Sequence, residues 1–149
     1  MGIRARNWAE RWPHARLVES KNFRRPKPHF LTERPPATNA MLVDLERRFG
    51  LDRSLHGPEH SLRVIANGRI LAPMTGADPV VVDLFALLHD VCRENEGHDP
   101  DHGTRAADLA AKLQSLWFHL DDRRMALLTD ACSRHDRGET EADPTVQTC

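Results

Sequence analysis

The stretch ADPVVVDLFALLHDVCREN, residues 77–95, constrains the fold more than any other part of the chain. Asp78 is placed to cap a helix, and Pro79 suits the first helical position, where an N–H would have no intrahelical partner. The three valines and the LFALL run make this helix apolar almost all round, which is typical of a central, buried helix. Residues 80–82 would also suit a strand, but the cap and the length favour a helix. The sequence therefore predicts a buried helix that ends on the pair His89-Asp90.

Apolar residues at helical spacing predict further helices on both sides of this stretch. The predicted segments are residues 41–49, residues 57–71 with Leu62, Ile65 and Ile70 on one side, residues 101–118 with Leu109, Leu113 and Leu116, and residues 121–135. Asp143-Pro144 repeats the cap-and-proline start and begins a sixth helix. Because no segment is convincing as a strand, the sequence predicts an all-α bundle of about five to six helices.

The first forty residues differ in composition from the rest. They hold nine Lys/Arg against three Asp/Glu, and five of the ten prolines, whereas residues 41–149 hold twelve basic and nineteen acidic side chains. Proline disrupts helix interiors, and basic blocks are commonly solvated tails. We therefore expect residues 1–40 to be a disordered extension, outside a domain over residues 41–149 for which Met41 would serve as a start. A solvated tail is favoured over a nucleic-acid contact.

Other features limit the class of protein. No apolar run reaches the roughly 18 residues that a membrane helix needs. Cys92, Cys132 and Cys149 are an odd number without a CxxC pair, which argues against a disulfide framework and against a cysteine-based zinc site. These features favour a reducing, cytoplasmic compartment and no membrane partner.

Histidines and aspartates concentrate around the end of the predicted buried helix. A buried carboxylate such as Asp90 is costly unless it is paired or binds a metal, and His89 supplies a second donor. His60, His102 and His135 fall on neighbouring predicted helices, and bundles build metal sites from side chains on facing helices. A lone buried histidine is more often a hydrogen-bonded structural residue, but this convergence predicts a metal site.

The remaining candidates are assigned lesser roles. His56, four residues before His60, is expected to lie behind the ligands or to contact substrate. Asp99 and Asp101 are expected to be solvated, or to cap the helix that begins near His102. His98 is expected to be exposed, and His14, His29 and His119 are interpreted as structural.

Four segments in order, HGPEHSLRV, LFALLHDVCRENEG, HGTRAADLA and SRHDRGET, resemble the HD-domain metal-dependent phosphohydrolase superfamily, and its compact single-domain bacterial members in particular. The resemblance covers about residues 41–149. It implies that His60, His89 and Asp90 are metal ligands, that His102 and His135 hold a second ion, and that Asp90 bridges two ions where two are bound.

The sequence departs from this pattern in one respect. The family's last aspartate would fall just beyond Cys149, and Asp136 and Asp143 are the nearest carboxylates that remain. We therefore expect a domain that lacks its C-terminal helices, binds metal weakly and turns over substrate slowly or not at all. We also expect exposed apolar faces on residues 80–91 and 125–131, which would favour a homodimer or aggregation.

The resemblance implies hydrolysis of a small phosphorylated substrate, for which a nucleotide is one candidate, with one or two divalent ions. Imidazole and carboxylate donors suit Mn²⁺, Fe²⁺, Zn²⁺ or Co²⁺ more than Mg²⁺. Asp90 is the expected catalytic centre, and Arg93 and Arg105 are candidates to offset phosphoryl charge, with solvated surface arginines as the alternative for both and for Arg63. Two other classes stay open: a non-catalytic metal-binding remnant or regulatory module, and a di-iron oxygenase of the HD type.

Overall fold

The computed structural model describes residue 45, residues 55–138 and residues 141–149. The helices in this part of the chain are α1 (Pro58–Thr75), α2 (Pro79–Leu88), α3 (His102–Leu113), α4 (Asp122–Arg134) and α5 (Pro144–Thr148). No strand occurs among these residues, where the sole strand-like pairing is an isolated bridge between Gln114 and Phe118. The predicted all-α bundle is confirmed for the described residues.

Two predictions fall largely outside the described residues. Of the helix predicted at residues 41–49, only Leu45 is described, and it is helical and buried. The extension predicted at residues 1–40 is not described, so the division at residue 41 stays a prediction. Within the described part of the chain, no helix is both long and apolar enough to cross a membrane.

Helix α2 is the centre of the bundle, as its sequence predicts. The Asp78 side chain accepts hydrogen bonds from the N–H groups of Val80 and Val81, and Pro79 opens the helix. Eight of its ten residues are buried, from Val81 through Leu88. One of the eight is charged: Asp83 forms two hydrogen bonds with the guanidinium of Arg69 on α1, at 3.2 and 3.1 Å, which offsets the cost of burying its carboxylate.

The predicted apolar side of α1 is wrong. Leu62 and Ile70 are 45% and 64% exposed, and the buried face consists of Ser61, Ile65, Gly68 and Ala72. Small residues let α1 lie close against α2: a Cβ built at Gly68 would be 2.4 Å from Cγ1 of Val82. Hydrophobic periodicity does not register such contacts, because small side chains carry little apolar signal.

Helices α3 and α4 pack against each other beside α2. Helix α3 ends at Leu113, earlier than predicted, and Leu116 is exposed rather than part of the buried row. The chain turns at Ser115, whose φ is 68°, and Gln114 holds the turn by bonding both the carbonyl and the N–H of Leu120 at 2.8 and 3.1 Å. Helix α4 begins at its predicted aspartate cap, Asp121, which accepts a hydrogen bond from the N–H of Arg124.

Helix α5 corrects the prediction of exposed faces. It begins at the predicted cap, Asp143, and packs on α1, α4 and α2. Its Thr145 and Val146 are buried, and the hydroxyl of Thr145 accepts a hydrogen bond from the N–H of Asp78 at 3.0 Å. Between residues 80 and 91 and between residues 125 and 131 the apolar side chains, apart from the exposed Ala126, lie in the core or pack against it. The exposed apolar faces that were expected to favour a homodimer are therefore covered within the chain.

Candidate metal centre

The ends of helices bring the candidate ligands together. His89 is the C-terminal cap of α2 and Asp90 follows in the next turn, while His102 opens α3 and His135 caps the C-terminal end of α4. His60 lies in the first turn of α1. The five side chains predicted as ligands thus meet at one place, around the buried carboxylate of Asp90.

Oxygen Oδ2 of Asp90 faces three imidazoles. It lies 2.7 Å from Nδ1 of His56, 3.1 Å from Nε2 of His89 and 3.4 Å from Nε2 of His60. The Nε2 atoms of His60 and His89 are themselves 3.1 Å apart.

Oxygen Oδ1 faces a second, separate set of groups. It lies 3.2 Å from Nε2 of His102, 3.6 Å from Nε2 of His135 and 3.4 Å from a terminal nitrogen of Arg93. The Nε2 atoms of His102 and His135 are 2.9 Å apart. Each oxygen of one carboxylate is therefore the centre of its own cluster of nitrogen donors.

Backbone carbonyls orient three of the rings. Nδ1 of His89 bonds the carbonyl of Phe85 at 3.2 Å, Nδ1 of His102 that of Asp99 at 2.5 Å, and Nδ1 of His135 that of Cys132 at 2.8 Å. A carbonyl only accepts, so each Nδ1 carries the hydrogen and each neutral ring presents a lone pair at Nε2. Facing lone pairs repel one another, and a cation between them removes the repulsion. Fixing the second ring nitrogen in this way is characteristic of metal-ligating histidines.

The electrostatics keep Asp90 ionised. Burial opposes its negative charge, but when a proton rather than an ion occupies Nε2 of His135 and His89, the hydrogen bonds that these rings donate hold the pKa of the carboxyl well below its usual range. Burial likewise opposes a charge on His135, yet its hydrogen bond with Asp90 raises the pKa of the ring. On the other side, burial and the neighbouring His89 lower the pKa of His60. The carboxylate of Asp90 therefore carries a negative charge, and both of its oxygens can serve as metal ligands.

The loop after α2 is organised by the two arginines singled out in the sequence. Arg93 contacts Asp90 and His102 and donates to the carbonyl of Gly97. Arg105 instead donates to the carbonyl of Cys92 and pairs with Asp99 at 2.6 Å. Arg93 therefore faces the site, whereas Arg105 contacts the loop through Cys92 and Asp99.

Of the acidic residues near the site, Asp99 does not lie where the sequence predicts, whereas Asp101 is exposed and precedes α3 as expected. Asp99 is buried, not solvated, and also accepts a hydrogen bond from the N–H of Glu94. Asp101 occupies the position before α3 but makes no capping bond through its side chain. Asp136 lies 3.8 Å from Nδ1 of His102, while Asp143 caps α5 and pairs with Arg123. Of these carboxylates, Asp136 is the one that borders the site.

An open cavity of about 570 Å³ adjoins the Oδ1 side. Arg93, His98, His102, Asp136 and Arg137 contribute to its lining. His98 is exposed, as predicted, and Arg63 is an exposed surface arginine. His119, interpreted from sequence as structural, is exposed instead. His14 and His29 lie outside the described residues.

Fold and site together define an all-α protein in which one buried aspartate collects nitrogen donors from several helices. A search for groups that could hold a metal ion, limited to the described residues, finds His56–His60–Asp90 and Asp90–His102–His135. The family model for the HD domain matches residues 58–147. The chain belongs to the HD-domain family, whose superfamily comprises metal-dependent phosphohydrolases. No significant match was found among curated proteins or among solved structures.

The sequence missed the direct contact of His56 with Asp90. The only signal was its spacing of four residues from His60, which we interpreted as one turn of a helix. The structure begins α1 at Pro58, so His56 reaches Asp90 from the chain before the helix.

Proposed function

We propose that this protein is a metal-dependent phosphohydrolase that acts on a small phosphate ester. The observation that carries the proposal is the arrangement of imidazole nitrogens around both oxygens of one ionised, buried carboxylate. The proposed ligands are His60, His89 and Asp90 on the Oδ2 side and Asp90, His102 and His135 on the Oδ1 side.

The spacing of these donors fits a metal ion. Ligand atoms bound at about 2.0–2.2 Å from one ion lie roughly 3 to 3.5 Å from each other. On the Oδ2 side the three donor atoms are 3.1, 3.1 and 3.4 Å apart, and on the Oδ1 side 2.9, 3.2 and 3.6 Å. The nitrogen-rich set favours Mn²⁺, Fe²⁺, Co²⁺ or Zn²⁺ over Mg²⁺, and the two sides allow one or two ions.

Each residue has a role in this proposal. Asp90 links the two sides, and the carbonyl-bound histidines hold their Nε2 atoms in place before an ion arrives. A bound divalent ion supplies Lewis acidity toward a phosphate ester and toward water.

Arg93 is the proposed phosphate contact. Its guanidinium borders both Asp90 and the cavity of about 570 Å³. A fixed positive charge there offsets negative charge on phosphoryl oxygens. Exposed His98 and Arg137 line the same cavity. The cavity fits a small phosphorylated molecule, with a nucleotide as one candidate. Because Arg105 is held by Asp99 and Cys92, we assign it to positioning the loop that carries Arg93 rather than to phosphate.

The test is hydrolysis of a panel of phosphomonoesters and phosphodiesters by the purified chain with each of the candidate ions. We expect turnover that requires an ion, is lost in Asp90→Asn, and falls with a raised KM in Arg93→Met. Arg123→Met, an exposed arginine distant in sequence from the site, is the matched control and should behave as the wild type. Turnover that survives Asp90→Asn unchanged would rule the proposal out.

The same set of ligands also suits a second candidate function, that of an oxygenase. Histidine nitrogens around a bridging carboxylate also suit iron, as an HD-type di-iron oxygenase would require. Iron retained through purification, with oxygen consumption and no phosphate release, would favour that class. Tight binding of an ion with neither reaction would favour a non-catalytic metal-binding module.

A further inference from the structure

We propose that His56 is a direct ligand of the ion held on the Oδ2 side of Asp90, so that this side offers three imidazoles and one carboxylate oxygen. This inference rests on the proposed metal site and extends it by one residue.

The contact with Asp90 carries the inference. Nδ1 of His56 lies 2.7 Å from Oδ2, beside His89 at 3.1 Å and His60 at 3.4 Å. The 2.7 Å contact is a hydrogen-bond distance, so the two atoms would move apart by a few tenths of an ångström to bind one ion. The His56 ring stands edge-on to that of His60, with 5.3 Å between the centroids, and the His60 ring lies 5.2 Å from that of His89. Three rings therefore surround one oxygen.

The other nitrogen of His56 also has the surroundings of a ligand. Its Nε2 lies 3.7 Å from a carboxylate oxygen of Glu96. Metal-ligating histidines commonly present their second ring N–H to a carboxylate, which orients the ring and makes the binding nitrogen more basic. The His56 side chain is 27% exposed and that of His60 26%, so both rings are partly accessible to solvent.

The local backbone explains how His56 reaches Asp90. Pro58 fixes the start of α1, and the extended conformation of Gly57, with φ −77° and ψ −164°, leads the chain away from the helix. His56 therefore approaches the carboxylate from beyond the helix terminus. Four protein donors, three of them nitrogen, strengthen the preference for later transition ions over Mg²⁺.

The test is a titration of the full 149-residue chain with Co²⁺, followed through the visible absorption of the bound ion. The variants are His56→Ala and His56→Gln, with the exposed His119→Ala as the control. Each is also made in a His135→Ala background, so that Co²⁺ bound on the Oδ1 side does not mask a change in binding on the Oδ2 side. The glutamine amide can still donate a hydrogen bond to Asp90 but lacks the imidazole nitrogen. Circular dichroism with a chelator present checks folding.

We expect both His56 variants to lose more than about 100-fold in Co²⁺ affinity, beyond the about 10–100-fold cost of losing an outer-shell partner, and to change the absorption band. His119→Ala should match the wild type. If His56→Ala fails to fold, His56→Gln decides alone.

Three results would overturn the inference. Unchanged affinity and spectrum in both variants would exclude His56 as a ligand while leaving the proposed metal site intact. A wild-type spectrum in His56→Gln alone would show that His56 only orients Asp90 by a hydrogen bond. Absence of any Co²⁺ binding to the wild type would overturn the proposed function together with this inference.

Discussion

At the scale of a residue, the helix boundaries decide which nitrogen of each histidine ring faces Asp90. The order of the motifs pointed to His60, His89, His102 and His135, and the structure brings them to Asp90. The sequence did not show which nitrogen faces the carboxylate. That depends on where each helix begins or ends, because the carbonyl three or four residues earlier binds Nδ1. The contact of His56 with Asp90 was missed for the same reason, since it depends on where α1 begins.

The cysteines give a prediction at this scale. The structure shows all three as free thiols, in agreement with the sequence. Burial raises the pKa of Cys92 and of Cys149 to about 12, and raises that of the fully buried Cys132. Thiolate is the reactive form, so its fraction at pH 8 is reduced roughly 1000-fold for a pKa three units above the ordinary value.

We therefore expect iodoacetamide at pH 8 to alkylate the native chain very slowly and the urea-unfolded chain rapidly, as mass spectrometry would show. Free cysteine at the same pH is the control for reagent strength. Rapid labelling of Cys132 in the native chain would contradict the observed packing.

At the scale of elements, the N-terminal ends of the helices were easier to predict than the sides of the helices that are buried. The caps Asp78, Asp121 and Asp143 were all identified from sequence, since each pairs a short acceptor side chain with helix N–H groups. The buried face of α1 was predicted wrongly, because it depends on Gly68 and Ala72 rather than on large apolar side chains. The covered faces of α2 and α4 also escaped prediction, because the sequence did not show that α5, with only five residues, packs against both helices.

Gly68→Ala tests the close approach of α1 and α2. The new Cβ would meet Cγ1 of Val82, so the helices must shift, at a cost of about 1–3 kcal/mol and a fall in Tm of roughly 3–10 °C. Asn67→Ala, on the exposed side of the same helix, should leave Tm nearly unchanged. The double variant Gly68→Ala, Val82→Ala should lose less than the sum of the two single variants, because the clash is relieved. Additive losses measured by thermal unfolding would argue against this contact.

Thr145→Val tests the attachment of α5. The substitution keeps the shape of this buried side chain but removes the oxygen that accepts from the N–H of Asp78. A donor left without its partner costs about 1–3 kcal/mol. We expect a lower urea midpoint for Thr145→Val than for Thr129→Val, a threonine on α4 whose hydroxyl bonds only its own helix. Equal midpoints would mean that this hydrogen bond contributes little.

At the scale of the whole molecule, the core and the site are joined through α2. Its buried residues fill the core, and the pair that follows them, His89-Asp90, is the centre of the site. The proposed ligands come from the ends of α1, α2, α3 and α4. An ion on the Oδ2 side would join α1 to α2, and an ion on the Oδ1 side would join α2, α3 and α4. Ion binding should therefore stabilise the fold.

Thermal unfolding with and without a divalent ion measures this coupling. At an ion concentration about 100 times Kd, binding contributes about 2.7 kcal/mol, which corresponds to a rise in Tm of roughly 5–10 °C. The rise should disappear in Asp90→Ala and persist in His119→Ala. An equal rise in Asp90→Ala would place the bound ion elsewhere.

The most direct measurement is the number of ions that remain on the chain after exposure to Mn²⁺, Fe²⁺, Co²⁺ or Zn²⁺ and gel filtration, determined by elemental analysis of the wild type and Asp90→Ala. Asp90 supplies both oxygens around which the nitrogens collect. We predict about one or two ions for each wild-type chain and nearly none for Asp90→Ala, because loss of the carboxylate removes a ligand from both sides. A wild-type chain that retains no ion, or an Asp90→Ala chain that retains as many as the wild type, would contradict the account.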